Sequence, residues 1–329
     1  MYVKGEDINL GIARETVRGT AEDPSTFIPA RTPTGIRQIV EKVQVRETRG
    51  GGMSSQGSVL VQKRSEGDLE FNVRNQTFGF LLLSLLGKVT TSAAGSAYSH
   101  LFELLTGNPQ YPTLTLALSQ LGMQDYQYKK SICTALEIRT PVDDLVNATA
   151  SFIGVSEETH ADYTVAFPST DYYFRHYDVT IKIAADVAGL GAASALSVKD
   201  FSLSIVNNGR VNQNVGELTP GDVLAIMHEI TGSLTMDYTD ETYHDLYAGE
   251  LYKAMSISMV RTDIDVDGGA GTQRPTVTFV LPKVSFTQNN PDRPIDDIAG
   301  QEIEFMAHHD ETLGYGIQAT LINNLANYN

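Results

Sequence analysis

Asp263-Ile264-Asp265-Val266-Asp267-Gly268 has the alternating carboxylates and the glycine with which a calcium loop opens. The position that closes such a loop is Arg274 instead of Glu, so the segment is read as a solvated strand entering a Gly-rich hairpin. His308-His309-Asp310 offers metal-ligand types, but adjacent side chains on a strand point to opposite faces and do not converge on one ion. Asp143-Asp144 and Asp296-Asp297 are paired carboxylates of the kind used for acid/base work, yet a Pro-x-Asp-Asp step more often caps a turn. Cys133 alternates with Ile132, Thr134 and Leu136 like a strand residue, which suits a small packed hydrophobe. Walker, HExxH, GxSxG and dinucleotide patterns do not occur. The chain is therefore read as no enzyme, with no catalytic, cofactor-binding or metal-ligating residue and no cofactor.

The elements that would hold any such residues are bounded by size and charge. A chain of 329 residues has room for about two domains. Its 24 Lys and Arg against 40 Asp and Glu give a formal charge of −16, the wrong sign for gripping phosphates. A single cysteine excludes an intrachain disulfide and a thiolate metal cage. The longest strongly apolar stretch, Phe78 to Leu86, falls short of the ~20 residues that span a bilayer, so no membrane insertion is expected. The first residues lack a signal-peptide pattern, which predicts folding in the cytoplasm where the chain is made.

Two blocks of sequence return in order. Glu66-Gly67-Asp68-Leu69-Glu70-Phe71 with Thr77 returns as Thr231-Gly232-Ser233-Leu234-Thr235-Met236 with Thr242, at an offset of 232 − 67 = 165. Pro141-Val-Asp143-Asp144 with Phe152 returns as Pro294-Ile-Asp296-Asp297 with Phe305, at 305 − 152 = 153. The smaller offset predicts a shorter middle section in the second copy. Period-two alternation predicts strands at 43–45, 114–118, 132–138, 201–205 and 277–281. Phe78, Leu81, Leu82 and Leu85 predict a helix stopped by Gly87; Tyr243, Leu246 and Tyr247 predict a shorter one. The fold class is mainly β: two tandem sandwich or barrel domains, 36–165 and 166–322, each with a flanking α-helix. Residues 1–35 are expected to be an N-terminal arm that gains order on a neighbour, and 323–329 a C-terminal tail.

Glu66-Gly-Asp-Leu-Glu-Phe71 followed by Phe80-Leu-Leu-Leu-Ser-Leu-Leu-Gly87 resembles the major tail tube proteins of long-tailed bacteriophages. Tyr98–Phe102, Pro112–Leu116, Leu136–Ile138, Ala148–Gly154, Val198–Ile205, Thr231–Thr235 and Ile317–Asn323 follow in matching order, so the resemblance runs from about 36 to 323. It implies a sandwich domain with a flanking helix, in rings that stack into a hollow tube for DNA ejection. If such rings use six single domains, a chain with two closes the ring with three copies, a pseudo-hexamer. Implied partners are the chain itself, tape-measure, tail terminator and tip proteins, and double-stranded DNA passing without specific binding. The implied location is the virion tail, assembled in the host cytoplasm.

Rings would stack through long loops. The candidates are Arg49, Gly50, Gly51, Gly52, Met53, Ser54, Ser55, Gln56 and Gly57, and in the second copy Asn207, Asn208, Gly209, Arg210, Val211, Asn212, Gln213 and on to Pro220. The repeat is anchored by Gly67, Leu69, Pro141, Asp144 and Phe152, matched to Gly232, Leu234, Pro294, Asp297 and Phe305. A carbohydrate-binding or adhesion module of β-sandwich type fits the same composition, although Trp is absent and the tyrosines are dispersed.

Overall fold

The computed structural model describes residues 4–32, 35–47, 57–249, 251–269, 273–296 and 298–328. The first half contributes β1 (Ile8–Arg14), β2 (Thr26–Ile28), β3 (Arg37–Val45), β4 (Gly57–Asn72), α1 (Phe78–Leu86), β5 (Gly87–Ala94), β6 (Ala97–Leu104), β7 (Leu114–Gln120), β8 (Asp125–Pro141), β9 (Asn147–Gly154) and β10 (Ser156–His160). The second contributes β11 (Val179–Ala184), β12 (Asp200–Val206), β13 (Arg210–Asn212), β14 (Asp222–Leu224), β15 (Glu229–Asp237), α2 (Thr242–Ala248), β16 (Lys253–Val260), β17 (Thr276–Asp292), β18 (Gly300–His308) and β19 (Gln318–Asn323).

One wide antiparallel sheet runs β3-β4-β9-β8-β12-β15-β18-β17. It crosses from one half to the other at β8–β12, where Leu203 lies opposite Ile138 and Ile205 opposite Leu136. The long strands β8 and β17 change neighbours part-way. The first part of β8 pairs with β7 and β10, and β7 pairs with β1. The first part of β17 pairs with β16 and β19, and β16 pairs with β11. The two sets of ladders have the same order of strands.

Their irregularities also coincide. The β8–β9 register shifts between Cys133 and Ala135 and the β17–β18 register between Phe286 and Gln288, and 286 − 133 and 288 − 135 are both 153. Gly67 lies opposite Phe152 on β9, and Gly232 opposite Phe305 on β18, so the two repeated blocks of sequence pair with each other in each half. Leu69 and Leu234 are fully buried, Pro141 closes β8, and Pro294 follows β17. Asp297 lies outside the described residues.

Apolar side chains from both halves form one connected core, in which the Phe78 ring meets Phe279 edge-on at 6.4 Å. The units expected at 36–165 and 166–322 thus share their interior. Phe78, Leu81, Leu82 and Leu85 of α1 are fully buried, each contributing about 1.5–3 kcal/mol before entropy. Gly87 ends the helix at φ 93°, a left-handed conformation natural to glycine, and its N–H donates to the Leu83 carbonyl. In α2 only Leu246 is buried among the described residues of that helix, and the helix is 7 residues against 9.

The termini differ from expectation. Residues 8–14 are not an arm: β1 pairs with β7 along its length, from Ile8 opposite Gln120 to Arg14 opposite Leu114. Beyond it the buried Glu15 carboxylate accepts hydrogen bonds from the Gly19 and Lys130 amides and the Thr113 hydroxyl, tying the chain down. At the other end Tyr328 is buried against Phe80, His100 and Phe102, and its hydroxyl donates to the Gln76 carbonyl. The His100 Nε2–H points at Asn323 Oδ1 and the Leu325 carbonyl, so this imidazole holds the last segment to β6.

A methyl group at Gly232 would stand 2.3 Å from the Ser202 carbonyl oxygen and 2.4 Å from the Phe305 ring. Gly232→Ala is expected to lower unfolding free energy by about 1–3 kcal/mol in denaturant titration, whereas Gly191→Ala, with open space around it, changes it by less than about 0.5 kcal/mol. Burial lowers the His100 pKa below its ordinary value despite its bonds to Asn323 and Leu325. The folded chain therefore favours neutral imidazole, and this contribution to stability, full above about pH 6.5, is lost as pH falls through the folded pKa. Melting temperature measured from about pH 7.5 to 5 should fall less steeply in His100→Gln than in the parent.

Candidate assembly surface

Alternate residues of the wide sheet point away from the core onto an open face. Register carries this face across all eight strands: Glu66, Asp68 and Glu70 lie opposite Ile153, Ser151 and Thr149, and Glu137 opposite Ser204. Thr231, Ser233 and Thr235 follow on β15, with Glu304 and Glu302 opposite Gln288 and Asn290 at the far side. The inward-pointing residues of the same strands, such as Leu69, Phe152, Leu203 and Ile303, are buried. The open face is thus polar, and its named carboxylates outnumber its arginines, Arg37, Arg64 and Arg139. Arg64 pairs with Glu41 and Glu66, and Arg139 with Glu137, which lowers the positive charge on offer further.

The sheet ends in two edges. On one side, among the described residues, β3 pairs with β4 alone. On the other, again among the described residues, the second part of β17 pairs with β18 alone. At both edges backbone donors and acceptors face outward, and residues from Thr287 to Asp292 are mostly exposed.

Beyond Ser65 the β4–β9 pairing stops, and β3 and β4 continue as a two-stranded ribbon exposing Val40, Val43, Val59 and Val61. Arg49, Gly50, Gly51, Gly52, Met53, Ser54, Ser55 and Gln56 lie outside the described residues, and Gly57 opens β4. The second candidate loop reaches the ribbon directly: the Lys63 amide donates to the Leu218 carbonyl at 2.9 Å, and Gln62 bonds to Gln213 at 3.2 Å. Within that loop Asn207 is fully buried and its side chain donates to the Cys133 carbonyl, while Pro220 is also buried. Asn208, Arg210, Asn212 and Gln213 are exposed, and Arg210, Val211 and Asn212 form β13, paired with β14.

The residues singled out for chemistry are occupied by structural work. Arg261 and Arg175 both bind Asp263, and the Arg261 hydrogen bond is the first cause of the depression of its carboxyl pKa far below the usual range. Asp267 accepts the Ser96 amide. His308 bonds to Ser285, and Asp310 caps the turn at Thr312 and Leu313. Asp144 accepts the Leu145 amide and lies 3.7 Å from Arg31. Cys133 is buried, which pushes its thiol up to about 12. Among the described residues no group of three or more His, Cys, Asp or Glu is arranged to hold a metal ion, and no helix is long and apolar enough to cross a membrane.

A model of the family described as phage tail tube protein matches residues 5–307. The chain belongs to the phage tail tube protein family. As a tail tube protein it is a structural component of the virion tail, and its kind assembles with itself in stacked rings. No curated protein matches it. Among solved structures, one described as the crystal structure of an Hcp protein is matched at 10% identity, covering 45% of this chain and 98% of that one, with a TM-score of 0.23.

Proposed function

We propose that three copies of this tail tube protein close into a ring, each chain supplying two tube domains, 36–165 and 166–322, so that threefold symmetry serves a sixfold plan. The observation that carries this reading is the coincidence of ladder order, register and bulge position between the two halves of a chain that belongs to a tube family. The closed ring puts the open face of the wide sheet toward the lumen. Three chains bring 3 × −16 = −48 formal charges. A wall on which Asp68, Glu70, Glu302 and Glu304 outweigh the arginines, two of them already paired with carboxylates, repels the DNA backbone and releases few counterions on contact, so the genome slides without sticking during ejection.

Rings stack through the β3–β4 ribbon with the 49–57 loop and through the exposed part of the 207–220 loop. Exposed valines on the ribbon supply apolar area, and the contact of Lys63 with Leu218 lets the ribbon and the 207–220 loop act as one surface. The tape-measure protein occupies the lumen during assembly in the host cytoplasm, and terminator and tip proteins cap the stacking surfaces at the two ends.

Negative-stain electron microscopy of the purified chain is expected to show hollow filaments with threefold ring averages. Six chains per ring, or a chain that remains monomeric at high concentration, overturns the reading. Deleting residues 50–55 should preserve folding and single rings but abolish long filaments; normal filaments from the deletion chain would remove the loop from the stacking contact.

A further inference from the structure

The stretch between the two halves does more than connect them. After β10 the chain lays residues 172–176 across the end of the β4–β9 ladder. The Phe174 amide donates to the Val73 carbonyl at 3.2 Å, the Val146 amide to the Phe174 carbonyl at 3.0 Å, and the Asn75 amide to the Tyr172 carbonyl at 3.1 Å. Tyr173 lies opposite Arg74, and Arg175 opposite Leu145, in single antiparallel bridges. Under this strap Val73, Asn75, Val146 and Phe174 are fully buried.

The second half has the same groove, left open. By the offsets of 165 and 153, Tyr238 and Ala299 stand where Val73 and Val146 stand. The Tyr238 amide donates to the Ala299 carbonyl at 2.8 Å, as the Val73 amide does to the Val146 carbonyl at 2.8 Å. Yet Tyr238 and Ala299 are only half-buried, Thr239 and Asp240 are exposed, and Ile295 on the adjoining turn is 99% exposed. Gln301, in the place of Ala148, is buried, and among the described residues neither of its side-chain amide atoms has a partner.

The start of the chain repeats the strap. A 3-10 turn, Gly5–Asp7, leads into β1, and another, His176–Asp178, leads into β11; 176 − 5 and 179 − 8 are both 171. The ladders agree. Ile8 lies opposite Gln120 and Val179 opposite Met259, and 259 − 120 = 139 is also the offset between the register shifts at Leu114 and Lys253, 253 − 114 = 139. Counting back by 171 puts Tyr2 where Tyr173 stands, Val3 where Phe174 stands and Lys4 where Arg175 stands. Aromatic, apolar and basic residues recur in order. We propose, resting on the ring reading above, that residues 1–4 of one copy strap the open groove in the second half of its neighbour. The bridges of the first strap give the pairing: Tyr2 opposite Thr239, since 74 + 165 = 239, and Lys4 opposite Ile298, since 145 + 153 = 298.

The direction of the chain selects this occupant. Residues 172–176 lead into the second half and reach back to the first. Residues 1–4 lead into the first half, and in a closed ring the unit before it is the second half of the neighbouring chain. The Asp7 carbonyl accepts the Leu121 amide, which fixes the root of the segment at the end of β7. Lys4 comes down beside the acidic turn that carries Asp292 and Asp296, an attractive pairing of charge. The strap adds an extended segment to the end of a ladder, where main-chain bonds supply the affinity. It uses neither edge of the wide sheet.

Tyr2→Cys/Thr239→Cys and Lys4→Cys/Ile298→Cys test the pairing, since opposed residues of antiparallel strands bring Cβ atoms to about 4.5–5.5 Å. Arg74→Cys/Tyr173→Cys makes the corresponding link inside one chain. Cys133 is buried and stays out of the reaction. Mild oxidation of assembled protein should give disulfide-linked dimers and trimers on non-reducing gels for the first two variants and linked monomers for the third. Tyr2→Cys/Asp240→Cys, displaced by one residue, should link at most about a tenth as much, because adjacent side chains of an extended strand point to opposite sides. Removing residues 2–4 should leave the melting curve of the unassembled chain unchanged and raise the protein concentration needed for filaments by about tenfold or more. Filaments in which neither pair links, links confined to one chain, or a shortened chain that assembles at the parent's concentration overturn the strap and leave the ring reading standing. A parent chain that forms no rings overturns both.

Discussion

Every backbone amide and carbonyl in a sheet must find a partner or water, and eight strands laid side by side end, among the described residues, in two outer edges. The rest of the molecule is arranged around this constraint. The wide sheet is closed on its core side by helices and by the second layer, and open on its polar side. Its interior seam at β8–β12 joins the two halves of the chain, with Leu203 and Ile205 sealed against Ile138 and Leu136.

The halves are alike in their ladders and unlike in what they add. Gly67 leads to Gly232 by 165, but Leu114 on β7 leads to Lys253 on β16 by 253 − 114 = 139, because among the described residues α2 is followed by β16 with no hairpin like β5–β6 between them. That hairpin packs onto β19, a strand of the other half. The second half lengthens instead between β16 and β17, and the lengthened loop returns the contact when Asp267 accepts the Ser96 amide at the hairpin turn. The aspartate run that looks like a calcium loop sits in this insertion. Its first carboxylate is held by Arg175 and Arg261, and so it serves to join the linker after the first half to the edge of the second.

Much of the fold was legible because the relevant signals are local. Alternation located β7, β8, β12 and β17, the 0, 3, 4, 7 spacing located α1, and the glycines at 67 and 232 marked the repeat because each lies where another residue's atoms leave no room for a side chain. The Ile8, Leu10, Ile12 alternation of β1 was present as well, and was masked by the Thr, Pro and Gly that follow it in residues 15–35. Other features had no local signal. Asn207 reads as a turn residue, and only the approach of β8 makes it a buried donor to Cys133. Tyr328 reads as part of a polar tail, and only the notch at Gly79 gives its ring a place, since a side chain there would collide with it. The open polar face was legible as composition and not as a surface, because it depends on which strands of the two halves become neighbours.

The strands β8 and β17 run through both layers, serving the outer ladder with their first part and the wide sheet with their second. Layers joined in this way cannot slip past one another without breaking main-chain bonds. A push that would shear one layer over the other is therefore taken up along covalent polypeptide, and resistance to it belongs to the backbone more than to the grease between the layers.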